Sequence, residues 1–106
     1  GQVVIRRSND GGKTWTTPKD GHTGILLPEG GYHTAPTPVV VYRGRVWRAM
    51  EDNRAGRGWP RQFRASVMSA PQDSDLLQAS SWTCSNRVRS SDKWLDREFQ
   101  GWLEGN

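Results

Sequence analysis

A chain of 106 residues with 33% hydrophobic residues, a mean hydropathy of -0.83 and six tryptophans holds one domain or less, with a core that leans on aromatic area. No apolar run approaches the roughly 20 residues of a bilayer-spanning helix, so no membrane partner is expected. The net charge of +4 comes from twelve arginines and three lysines against eleven acids, and arginine's planar fork admits acidic sugars, nucleic acid or internal carboxylates.

The single Cys84 excludes an internal disulfide, and the lack of any cysteine or histidine cluster predicts no structural zinc, no other metal and no cofactor. No signal peptide is legible at Gly1-Gln2, and the residues leave localisation open.

In chain order, residues 2–8 are β-rich, and with residues 14–17 they predict a hairpin, so that 1–17 reads as the outer half of a sheet unit. Between them stands Ser8-Asn9-Asp10-Gly11-Gly12-Lys13-Thr14-Trp15. Its Gly-Lys-Thr suggests a phosphate loop, but Arg7 stands where that loop needs a glycine, and the following "TWTTPKDG" disfavours a helix. A tight turn with glycines at positive φ is expected instead.

Residues 18–36 read as a long Gly- and Pro-rich loop with an apolar anchor at Ile25-Leu26-Leu27. Residues 37–86 predict a complete four-stranded antiparallel unit. It contains "TPVVVY", a tight Arg43-Gly44 turn, "RVWRAME" with Val46, Arg48 and Met50 on one face and Trp47, Ala49 and Glu51 on the other, "QFRASVMSA" and "SWTCSNRV". One helical turn is expected at Ser74 to Leu77. Residues 87–106 form a connector and the start of another strand. The fold class is therefore all-β, an antiparallel meander that is not closed within one chain.

Ser8, Asp10, Gly12, Thr14 and Trp15 match the defined positions of the Asp box, Ser-x-Asp-x-Gly-x-Thr-Trp. With "HTAPTPVVVYRGRVWRAMED" and "SAPQDSDLLQASSWTCSN", the chain resembles sialidase-like BNR-repeat proteins of bacteria. The resemblance implies blades of a six-bladed β-propeller, with about a third of a full-length member present, a glycoside hydrolase-like or glycan-binding role, and a secreted or periplasmic location. It also implies that the box is a structural clasp remote from the active site. "QDSDLLQASSWT" reads as a degenerate second box with an inserted helical turn.

In a propeller, ligands bind near the axis, by the innermost strands. The resulting candidates are Glu104, Glu51 and Asp52 as carboxylates for acid/base work on a glycosidic bond, and His33, Arg48, Asn106 and Trp59 as substrate-binding groups. The plain alternative for Glu51-Asp52 is a solvated turn. Arg48 and Glu51 lie on opposite faces, so Arg48 is expected to meet a cross-strand or ligand carboxylate. The Arg-Ile-Pro motif that supplies the first of a sialidase's three arginines is absent, and no tyrosine stands near the C-terminus, so one chain is not expected to complete the catalytic site.

Open sheet edges predict a homo-oligomer. Two other readings remain. One is a non-enzymatic carbohydrate-binding module in which Trp47, Trp59 or Trp94 offers a stacking surface, although Trp15, Trp47 and Trp82 are expected to pack inside. The other is single-stranded nucleic acid on the arginines between Arg43 and Arg64, which the scattered acids disfavour.

Overall fold

The computed structural model describes residues 1–33, 37–56, 58 and 62–89. They form eight short strands in two antiparallel sheets, and there is no α-helix among the described residues. The strands are β1 (Val3–Val4), β2 (Ile25–Leu27), β3 (Tyr32–His33), β4 (Val40–Tyr42), β5 (Arg45–Asp52), β6 (Arg64–Pro71), β7 (Thr83–Cys84) and β8 (Val88–Arg89).

The larger sheet is a four-row meander. Both β3 and β4 pair with β5, β5 pairs with β6 along its whole length from Arg45↔Pro71 to Asp52↔Arg64, and both β7 and β8 pair with β6. The sheet thus runs from Tyr32 to Arg89, wider than the expected 37–86. Its fourth row is split where Ser85 replaces regular ladder bonds with a reciprocal pair to Val67, its amide donating at 2.9 Å and its Oγ accepting at 2.9 Å.

The β4–β5 turn forms as expected. Arg43 (φ 51) and Gly44 (φ 74) both take the left-handed conformation of a two-residue hairpin turn, which matches the twist of the flanking strands.

The first hairpin differs from the expectation. Residues 2–8 and 14–17 meet mainly at one rung, where Thr16 N donates to Arg7 O (2.9 Å) and Arg7 N donates to Thr16 Oγ1 (2.9 Å). The ladder partner of β1 is β2, the segment expected to anchor a loop. The intervening backbone groups bond to side chains of the turn instead of to a strand. The predicted helical turn at Ser74 to Leu77 is also displaced: those residues form hydrogen-bonded turns, and a 3-10 turn follows at Ala79–Ser81.

Alternation along β5 sets the layers. Val46 and Asp52 are buried, with Arg48 and Met50 between them on the same face. The small sheet packs here, and Val3, Leu26, Tyr32 and Met68 form the core, flanked by Ile5, Leu27, Met50, Trp82 and Cys84. Among the described residues nothing covers the opposite face, where Tyr42, Val40 and Val88 are exposed. Along β4 all three residues are exposed, and β5 is its only strand partner there.

Candidate functional site

The segment around Asp10 is built from side chains. Ser8 Oγ accepts the Gly12 amide (2.8 Å) and donates to Asp10 Oδ1 (2.8 Å). That oxygen also accepts the amides of Lys13 (3.0 Å) and Thr14 (2.9 Å), while Oδ2 accepts the Thr14 hydroxyl (2.6 Å). The hydroxyl and amide of Thr14, then the Ser8 hydroxyl, draw the Asp10 carboxyl down to about 2. Because these amides already serve Asp10, they cannot cradle an external phosphate, and Lys13 is simply exposed.

The Trp15 indole N–H donates to Gly12 O (3.1 Å). Its ring was expected inside, but it is 57% exposed and forms part of a cavity wall, because no strand covers it among the described residues.

A second Asp–Trp turn follows β6. Asp75 Oδ1 accepts the Leu77 amide (3.1 Å), and Trp82 Nε1 donates to Leu76 O (2.9 Å) across the 3-10 turn. Trp82 is partly buried against the core, and the half-buried Trp47 donates its indole N–H to Tyr42 O (3.1 Å).

At the opposite end of the sheet, the β3–β5 register places His33 beside Glu51. His33 Nδ1 lies 2.5 Å from Glu51 Oε1, and an ionised carboxylate only accepts, so the Nδ1 proton faces Glu51 and Nε2 is left for another partner. The His33 ring packs against Phe63 with centroids 5.5 Å apart. With side-chain exposures of 60% for His33 and 30% for Glu51, the pair is accessible.

Asp52 corrects the expectation of an adjacent catalytic pair. Neighbouring strand residues point to opposite faces, so Glu51 and Asp52 cannot address one substrate. Asp52 is 0% exposed; it accepts Arg64 Nε (2.8 Å) and NH2 (3.0 Å) and the Arg54 amide (3.0 Å), with Arg87 Nε at 3.8 Å. Burial pushes its carboxyl up, but the hydrogen bonds from Arg64 and Arg54 and the two guanidinium charges together hold it below the ordinary range. Arg87 also donates to Tyr32 Oη (2.8 Å), which donates to Glu29 Oε1 (3.0 Å). Burial, with the Glu29 contact, raises the Tyr32 phenol despite Arg87.

Arg48 is not bonded to Glu51; its NH1 donates to Thr37 O (3.2 Å). It helps line a cavity of about 130 Å³ together with Gln2, Tyr32, His33 and Met50, so His33 and Arg48 border one small cavity although they stand on opposite faces of the sheet. Arg48 also helps line a larger, mainly apolar cavity of about 680 Å³ between the two sheets. The expected sites Glu104, Asn106 and Trp59, and Trp94, lie outside the described residues.

Sequence reasoning missed Arg64, Arg87 and Phe63. The β5–β6 register that sets Arg64 opposite Asp52 was the signal, and it becomes visible only when the loop between them is closed correctly. The described arginines between Arg43 and Arg64 do not form one basic face. Arg45 reaches Ser69 Oγ on the uncovered side, while Arg48 and Arg64 serve the covered one.

This fold defines an all-β, antiparallel protein with an aspartate-locked turn ahead of its main sheet. Comparisons with protein-family models, with curated proteins and with solved structures found no match to the chain.

Proposed function

We propose that this chain is a blade unit of a sialidase-like β-propeller that takes part in binding an acidic glycan and does not complete hydrolysis by itself. The observation that carries the reading is the turn around Asp10, in which each polar position of Ser-x-Asp-x-Gly-x-Thr-Trp has the bond its chemistry calls for. A four-row meander follows it, with a second Asp–Trp turn between the third and fourth rows. Among the described residues the β4 edge is bare and one apolar face uncovered, which is what a blade offers to its neighbours and favours self-association of the chain.

The sugar would meet the β3 end of the sheet. His33 Nε2 would bond a hydroxyl and Phe63 would offer an apolar ring on the Glu51 face, while Arg48, on the opposite face of β5, would reach a carboxylate only through the small cavity that it lines with His33. Two observations favour binding over hydrolysis. A glycosidase needs two usable carboxyls flanking the bond, and at this end Asp52 is committed to Arg64 and Glu29 accepts the Tyr32 hydroxyl, which leaves Glu51 without a matching second carboxyl among the described residues. A cavity of about 130 Å³ is also smaller than the roughly 300–1,000 Å³ of complete small-molecule sites.

Calorimetric titration with N-acetylneuraminate and with galactose tests the reading. The acidic sugar is expected to bind, and His33→Ala to weaken it about tenfold by removing a hydrogen bond to a charged or polar partner. Equal affinity for the two sugars, or unchanged affinity in a folded His33→Ala chain, contradicts it.

A further inference from the structure

The cavity of about 680 Å³ between the two sheets falls within the roughly 300–1,000 Å³ of small-molecule sites. Its walls are Val3, Val4, Ile5 and Leu26 from the small sheet, Val39, Val46, Met68 and Leu76 from the other side, and the rings of Trp15 and Trp82. Among the described residues, Arg6 and Arg48 are its only charged lining residues and no acid lines it. Both indole N–H groups already donate to backbone carbonyls, Trp15 to Gly12 and Trp82 to Leu76. The tryptophans therefore present apolar rings alone.

A sugar would bring many hydroxyls to walls that cannot pair with them, and an unpaired buried hydroxyl is costly. An apolar chain ending in an anion suits both features of the cavity. The guanidinium groups each make one bond to a backbone carbonyl, Arg6 to Thr16 O (3.2 Å) and Arg48 to Thr37 O (3.2 Å). Neither is paired with a carboxylate among the described residues. Their remaining N–H donors suit a carboxylate.

The geometry points to a binding site for an amphipathic carboxylate, its aliphatic body between the tryptophan rings and its anion held by Arg6 and Arg48. This site takes a ligand with an apolar body, unlike the glycan-binding reading, although both would use Arg48; His33→Ala bears on the glycan reading alone and leaves dodecanoate affinity unchanged.

The test is fluorescence and calorimetric titration of the full chain with dodecanoate below its micellar concentration, beside decanoate and dodecanol. Dodecanoate is expected to bind one per chain with a change in tryptophan emission. Loss of two buried methylenes weakens decanoate about fifteenfold, and the neutral head weakens dodecanol about tenfold or more. Arg6→Gln combined with Arg48→Gln lowers dodecanoate affinity by a similar factor and leaves dodecanol unchanged. Val39→Trp, at an exposed position of the wall, takes up part of the space and weakens dodecanoate binding even if the double variant does not fold. Dodecanol binding as tightly as dodecanoate, or a folded Val39→Trp chain retaining full affinity, overturns the assignment.

Discussion

Replacing Asp52 by Asn removes a negative charge from a position that solvent does not reach and leaves the side-chain volume nearly unchanged. The asparagine can accept from one donor, but Arg64 and Arg87 then share a half-buried space without a counter-ion. Breaking a buried ion pair by removing one partner costs about 3–5 kcal/mol. The two guanidinium side chains are 25% and 26% exposed, so water compensates part of the loss, and about 3 kcal/mol is expected. Against a total of about 5–15 kcal/mol for a domain of this size, that is a large fraction. The melting temperature should fall by roughly 12–24 °C in a thermal scan followed by circular dichroism, with a lower urea midpoint. A loss below about 1 kcal/mol would show that Asp52 is solvated and free, which would return it to the list of catalytic carboxylates.

Asp10→Ala takes the shared acceptor from the Lys13 and Thr14 amides, so both should exchange hydrogen faster by NMR. Acid acts in a defined direction. Asp52, Asp10 and Glu29 are held below their ordinary values, so their contribution is complete above a pH of about 5 and is lost as pH falls through the folded values. Melting temperatures should be flat from about pH 7 to 5 and drop below about 4, and a rise on acidification would contradict the sign. Gly24→Ala should destabilise by about 1–3 kcal/mol or more in urea melts. The new Cβ would lie 2.3 Å from Ile5 O at φ +119, on the segment that bonds β1 to β2.

Some of this structure is legible in the residues. Arg43-Gly44 between two β-branched runs specifies its own turn, and the Asp10 turn is local chemistry in which each partner lies within four residues. Alternation along residues 46–51 gives the faces of β5, and carrying it one residue further would have separated Asp52 from Glu51. The partner of β1 was not legible, because Ile25-Leu26-Leu27 is too short a run, set among glycines and prolines, to show a period. The larger cavity was not legible either. It joins residues from widely separated stretches between Val3 and Trp82, and only the packing of one sheet on the other brings Arg6 to the same wall as Arg48.

The claim that the chain is a blade whose bare edge and face seek further copies is tested most directly by its mass in solution. Multi-angle light scattering should give a multiple of the 12.0 kDa chain that falls to one chain when Val41→Lys places a charge on β4. A well-folded single chain in the unaltered protein, stable without partners, would contradict it.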